Sequence, residues 1–255
     1  MIFVISPAKS LDFNKAINTE IHSKPIFSNE IKTIIKELKK LSVNDISKLM
    51  NISPKLAEIN FERYKNFSNN FNLQNSKQAI AVFDGDVYSS IDASKYSKDE
   101  FNYAQENVRI ISGLYGILKP LDLIQAYRLE MSTKLSFEKY LNLYNFWGDK
   151  ISKSLKSELS SMKNKVIINL ASDEYFKAVK DHGSELKIIN ITFKEKKSDG
   201  YKIIGIFAKK ARGLFIHYAI KNKISEIDDL KKFNLGGYSY IKEISSPSNI
   251  IFHRN

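Results

Sequence analysis

The chain has 255 residues, no cysteine, four histidines, and 40 Lys and Arg against 28 Asp and Glu, a net charge of +12. Disulfides, thiolate zinc sites, iron–sulfur clusters and cysteine nucleophiles are therefore excluded, while the length suits one domain with a substantial core. The opening apolar run, Met1 to Ile5, is far too short for a signal-peptide core and no later run approaches a membrane span, so a soluble, cytoplasmic protein is expected.

Residues 2–5 (IFVI) read as a buried strand that enters a polar loop, SPAKSLDF, at 6–13. Over 28–41, Ile31, Ile34, Ile35, Leu38 and Leu41 recur at helical spacing. A shorter helix is expected over 43–50, and Ser53-Pro54 opens another, with a cap followed by proline at the first helical position. Residues 79–83 read as a strand running into the acidic turn Asp84-Gly85-Asp86. Ser97-Lys98-Asp99-Glu100 fits a capping box for a helix to about Asn107. A short element at 108–111 precedes a glycine-bearing hairpin at 112–116. Residues 136–160 are expected to be helical, interrupted near Trp147-Gly148.

The run 166–170 reads as a central strand leading to a helix at 173–180. Residues 186–194 and 201–208 form a strand pair about the turn Ser198-Asp199-Gly200. Helices at 209–223 and 226–232 follow, then strands near 238–243 and 250–253. The loose alternation predicts a single mixed α/β domain over 1–255, with a mixed sheet flanked by helices. The antiparallel pair argues against a clean doubly wound sheet.

Only five of the cations are arginine (63, 109, 128, 212 and 254), and Lys, Ile and Asn together exceed a third of the chain, as A/T-rich coding would produce. The total charge is thus a weak signal, but its placement is informative. Residues 1–150 carry +3 and residues 151–255 carry +9, the asymmetry that an electrostatic footprint for a polyanion requires.

The common catalytic signatures are missing: no P-loop, no GxGxxG after a strand, no GxSxG elbow and no HExxH. His22, His182, His217 and His253 are dispersed, so neither a metal site nor a cofactor is expected. The segment Ile111-Ser112-Gly113-Leu114-Tyr115-Gly116 has two glycines whose backbone amides could approach a phosphate, as in helix-hairpin-helix modules. A plain structural turn has the same spacing, and Pro120 interrupts the second helix such a module needs. Arg128 suggests a site that wants a planar fork, or else a local ion pair with Glu130. Lys209, Lys210 and Arg212 cluster where an apolar strand gives way to a helix, a place where a helix dipole favours anions, so a bound phosphate would relieve the conflict. Lys9, Asp84 and Asp86 follow expected strands, where ligands of open α/β sheets gather. Asp173-Glu174 adds a further acidic pair. Such carboxylates suit Mg²⁺ or acid–base chemistry, and equally suit helix caps and turns.

The segments SPAKSLDF (6–13), FDGDVYSSI (83–91), ISGLYGILKPLDLIQAYRLEM (111–131), FWGDKI (146–151), INLASDEYFKAV (168–179) and AKKARGLFIHYAI (208–220) closely resemble the bacterial YaaA peroxide-stress family. The resemblance implies a cytoplasmic protein that protects against hydrogen peroxide and is associated with low free iron. It also implies DNA binding through a positive cleft and a helix-hairpin-helix element in an unusual mixed α/β fold. Family cationic positions correspond to Lys9, Arg109, Arg128, Lys209, Lys210 and Arg212. The chain departs from the family pattern at Ser90 (usually glycine), Ala126 (usually proline) and His217 (usually arginine).

The favoured expectation is a monomeric, sequence-nonspecific DNA binder using Gly113, Leu114, Tyr115, Gly116, Lys119, Arg109, Arg128, Lys209, Lys210 and Arg212, with Tyr115 stacking or wedging. The alternative is a DNA glycosylase or abasic-site lyase with Lys9 as Schiff-base nucleophile and Asp84, Asp86 or Asp122 handling protons. Iron sequestration is disfavoured, because the carboxylates lack the Glu-x-x-His pairing of di-iron bundles.

Overall fold

The structure, a computed structural model, describes residues 1–180 and 185–255. His182 lies outside the described residues. Strand β1 (Ile2–Ile5) leads into the two-residue β2 (Ser10–Leu11). Helix α1 (Ser28–Leu38) buries Ile31, Ile34, Ile35 and Leu38, the stripe its spacing predicts. Ser42 caps α2 (Val43–Met50) in a capping box with Asp45, and Ser53 caps α3 (Pro54–Lys65), with Pro54 at its first position.

After β3 (Lys77–Gln78), the expected strand at 79–83 is instead a buried helical turn, α4 (Ala79–Val82), followed by β4 (Phe83–Asp84). A short apolar run buried on all sides does not separate strand from helix by periodicity, and here the helical turn prevails. Next come α5 (Asp86–Ile91) and α6 (Lys98–Asn107), whose Ser97–Glu100 capping box forms as expected. Strands β5 (Val108–Ser112), β6 (Gly116–Leu118) and β7 (Leu123–Ile124) follow.

The expected helix over 136–160 is confined to α7 (Leu143–Trp147) and α8 (Lys150–Ser160). Gly148, at φ 47°, makes the interruption between them. Strand β8 (Ile167–Asn169) and helix α9 (Asp173–Lys180) lie where expected. Strands β9 (Ile188–Lys197) and β10 (Gly200–Lys202) form the antiparallel pair. Helix α10 (Gly205–Lys221) begins four residues earlier than its apolar pattern suggests. Then come α11 (Ile227–Leu230), β11 (Tyr238–Tyr240) and β12 (Asn249–Arg254).

The main sheet runs β11-β12-β9-β8-β1-β5-β6, with β10 on β9. Its centre, β12-β9-β8-β1-β5, is parallel, while β6, β10 and β11 are antiparallel. The fold is therefore the mixed α/β architecture expected, with a longer parallel core than the strand pair suggested. Every residue of β1, β5 and β8 is buried, so both sheet faces are covered, as parallel sheets require.

Two features of this topology create a site. The chain leaves β1 toward β5 on one side, and leaves β8 toward β9 on the other. Because β1 and β8 are neighbours, a crevice opens between their C-terminal ends, the switch point where ligands of open α/β sheets bind. The short pairing of β2 with β4, Ser10 opposite Asp84 and Leu11 opposite Phe83, then folds the loop after β1 against the acidic turn after β4.

Candidate functional site

The crevice is a cleft of about 430 Å³. Its floor and walls come from four chain segments: the loop 6–10 after β1, the turn 84–88, the loop 170–175 after β8, and α10. Ser6 ties two of these together. Its hydroxyl accepts from the Ser172 backbone N–H at 2.9 Å, and its carbonyl accepts from the Tyr88 hydroxyl at 2.9 Å. Tyr88 and Tyr175 are buried, which raises both phenols above their ordinary pKa and keeps them neutral donors.

The cleft gathers Lys9, Asp84, Asp86, Lys209 and Arg212 from the predicted site residues, with Glu174 beside them. Lys209 and Arg212 lie three apart on α10 and so share a face. Lys210 turns away and is exposed outside the cleft. The earlier start of α10 places these cations in its second turn rather than at its N-terminus, so the expected conflict with the helix dipole does not arise. Burial lowers the Arg212 guanidinium pKa, against the opposing pull of Asp173.

The acids of the cleft differ in their engagement. Asp84 pairs with Lys15 at 2.5 Å, and Glu174 accepts from the Ser132 hydroxyl at 2.7 Å. Glu130 reaches Lys9 at 3.0 Å with one oxygen and Arg128 at 2.8 Å with the other. The local ion pair that the sequence offered as an alternative for Arg128 is thus formed, and Glu130 also tethers Lys9. Arg128 lines a small annex beside the cleft with Lys9 and Tyr175, and its buried Nε has no hydrogen-bond partner among the described residues.

The remaining expectations need correction. Gly113, Leu114, Tyr115 and Gly116 do not belong to a helix-hairpin-helix: they join the antiparallel strands β5 and β6 and are buried. A Cβ on Gly113 would meet the Leu129 carbonyl oxygen at 2.4 Å, and one on Gly116 the Trp147 ring at 2.5 Å. The Trp147 indole N–H donates to the Gly113 carbonyl at 3.0 Å. These glycines let protein, not phosphate, approach. Tyr115 is buried with its hydroxyl bonded to Gln125, so it is not placed to stack on a base.

Arg109 is 2% exposed, bonds Glu158 at 2.9 Å, and donates to the carbonyls of Gln105, Glu106 and Val108 at the end of α6. It is a helix-end clamp rather than a phosphate contact. Lys119 and Asp122 lie outside the cleft. Buried Asp122 accepts from Ser23 at 2.5 Å and from the Lys119 N–H at 2.8 Å, and burial raises its carboxyl pKa despite these bonds. His217, at a usual arginine position, bonds the Ile91 carbonyl at 2.8 Å beside the end of α5. Sequence reasoning missed Ser6, Ser172 and Tyr88; their positions just after strands and turns were the available signal.

Beyond the cleft lies a basic arm. Strand β12 occupies one edge of β9 through Glu195, so β10 pairs on the other edge, past the end of β8. From Asn190 the β9–β10 hairpin extends about 20 Å beyond the β8 terminus, at 3.3 Å per residue, on the edge where the cleft opens. Lys196, Lys197 and Lys202 on it are exposed. This arm and α10 carry much of the charge asymmetry seen in the sequence.

The chain matches the family model described as peroxide stress protein YaaA over residues 1–244. It belongs to the YaaA peroxide-stress family. A UPF0246 protein of Colwellia psychrerythraea is 47% identical over 254 residues, covering 100% of this chain and 99% of the relative. A UPF0246 protein of Clostridium beijerinckii is 43% identical over 257 residues, covering 100% and 98%. One from Shewanella baltica is 45% identical over 254 residues, covering 100% and 99%. The YaaA match spans every segment that builds the cleft. Among the described residues no helix is long and apolar enough to cross a membrane, and no group of three His, Asp or Glu is placed to hold a metal.

Proposed function

We propose that this YaaA-family protein serves peroxide-stress protection by holding DNA without sequence specificity, its phosphodiester backbone gripped at the mouth of the cleft and along the β9–β10 arm. The carrying observation is Arg212: half-buried in the cleft wall beside Lys209, with no ion pair or hydrogen bond to any described residue. A guanidinium withdrawn from water, with only the through-space pull of Asp173 and no bonded partner, is costly, and an incoming phosphate offsets that cost with charge-assisted bonds. Lys196 and Lys197 extend the positive surface outward. The grip lies in the cleft and arm, not in the 113–116 turn.

The test is fluorescence anisotropy with duplexes of unrelated sequence across a salt series. Similar affinities and a steep loss with salt are expected, and K209A/R212A should flatten the log–log slope by about 1 per residue removed. A shallow slope in the unaltered protein, or a double variant with unchanged slope, overturns the reading.

The lyase reading draws on Lys9 sharing the cleft with Asp84 and Asp86. Against it, the Lys9 amine is engaged with Glu130, and Asp122 is committed to a turn outside the cleft. Borohydride trapping on abasic duplex decides: a trapped adduct lost in Lys9→Ala supports the lyase, and its absence removes it. We read the family's association with low free iron as indirect, since Asp84 and Glu174 already hold Lys15 and Ser132.

A further inference from the structure

The cleft holds two opposite charges that do not meet. Arg212 and Asp86 are both half-buried and both line it, yet neither side chain has an ion pair or hydrogen bond to any described residue. Opposite charges withdrawn from water normally pair. Here they face the same space from two elements, α10 and the start of α5, whose separation is fixed by backbone packing: a Cβ on Gly213 would lie 2.1 Å from the Val87 carbonyl oxygen. That close approach fixes the register of the two helices and so the positions from which the two side chains enter the cleft.

A simple anion satisfies Arg212 and is repelled by Asp86. A simple cation does the reverse. The ligand that satisfies both is anionic at one end and carries hydrogen-bond donors at the other. Tyr88, Tyr175 and Leu170 also line the cleft and give it apolar surface beside the charges. Its volume of about 430 Å³ lies within the 300–1,000 Å³ typical of small-ligand sites. An α-amino acid has the right polarity but leaves most of that space to water.

We infer that the cleft is a pocket for one nucleotide, its phosphate on Arg212 and Lys209 and the donor groups of its sugar or base on Asp86. This rests on the DNA-binding reading and narrows it: the arm and cleft mouth carry backbone, while the cleft interior receives a single unpaired or terminal nucleotide. Duplex phosphates alone explain Arg212 but give Asp86 nothing to bind.

Isothermal titration of the full chain with deoxyadenosine 5′-monophosphate, deoxyadenosine, inorganic phosphate and glycine tests this, with duplex anisotropy measured on the same preparation. The nucleotide is expected to bind at least tenfold more tightly than any of the other three. In Asp86→Asn, checked for folding by circular dichroism, the preference for nucleotide over phosphate should shrink by about tenfold. Nucleotide no tighter than phosphate, or glycine tighter than nucleotide, overturns the inference; if duplex still binds, the DNA reading stands without it. Loss of duplex binding in the unaltered protein overturns the DNA reading itself. The comparison of four ligands on the unaltered chain holds even if the variant misfolds.

Discussion

Gly213 on α10 lies against the Val87 carbonyl on α5 so closely that an added Cβ would sit 2.1 Å from the oxygen and 2.6 Å from Ser90 Cβ. The same helix carries Arg212 into the cleft, so the close crossing sets where the guanidinium points. Gly213→Ala must move backbone rather than a flexible side-chain end. Overpacking of this kind costs about 1–3 kcal/mol, and this contact belongs at the upper end. We expect a lowered urea midpoint together with weakened duplex binding, because the shift displaces Arg212. Unchanged stability would show that the crossing has slack.

Arg109 and Glu158 should matter to folding and not to DNA. Arg109 is 2% exposed and closes the C-terminal carbonyls of α6 while paired with Glu158. Removing one partner of a buried pair costs about 3–5 kcal/mol, toward the low end here because Glu158 keeps some solvent exposure. Arg109→Ala is expected to be destabilised by about 3 kcal/mol in urea unfolding. Its salt slope for duplex, measured below the unfolding transition, should match the unaltered protein. A lower slope at equal fold content would return Arg109 to the binding surface.

Glu130 restrains two cations at the cleft, with Lys9 at 3.0 Å and Arg128 at 2.8 Å. Glu130→Gln removes the only negative charge on that bridge and frees Lys9, whose side chain is 59% exposed. Exposed pairs of this kind are worth about 1 kcal/mol or less, so duplex affinity should rise by up to about fivefold at low salt. The gain should fade as salt screens it. Weaker binding in this variant would mean that Glu130 positions Arg128 for the ligand rather than competing with it.

The cleft was partly legible because its residues follow strands. Lys9 comes after β1 and Asp84 ends β4, and the strand-end rule needs only those two facts. Arg212 stood out as an arginine in a lysine-rich chain. Arg109, taken over from the family's cationic positions, was misplaced, because a planar fork suits a helix C-terminus and a carboxylate as well as it suits a phosphate. Gly113 and Gly116 were ambiguous for a similar reason. Glycine permits close approach by anything, and the partners that use it, the Leu129 carbonyl and the Trp147 ring, are set by tertiary packing. The start of α10 was missed because its first turn, with Ile203 and Ile206 exposed nearby, carries no amphipathic signal.

The capping carboxylate of α6 sets an acid limb on stability. Burial raises the Glu100 pKa, but the Ser97 backbone N–H at 2.7 Å and Lys221 at 2.9 Å outweigh it and hold the carboxyl below its ordinary value. A depressed folded pKa contributes stability that is complete above the unfolded value of about 4.3 and lost as pH falls through it and then through the folded value. Glu100→Gln should therefore be less stable by about 1 kcal/mol at pH 7, with the difference narrowing from about pH 5 to pH 3. Urea midpoints across that range check it. A gap that stays constant with pH would rule out ionisation as its source.

Tyr115 gives the sharpest separation between packing and binding. The ring is fully buried, edge-on to Tyr127 at 5.1 Å, and its hydroxyl accepts from the Gln125 N–H at 2.9 Å while facing the Gln125 carbonyl at 3.3 Å. Tyr115→Phe keeps the ring and strands both backbone groups in the core. An unsatisfied buried group costs about 1–3 kcal/mol, so a lower thermal midpoint is expected. Duplex affinity and its salt dependence should not change, because the hydroxyl never reaches the surface. A variant that folds as stably as its parent but binds DNA more weakly would place Tyr115 on the nucleic acid after all, and would require the β5–β6 turn to open when it binds.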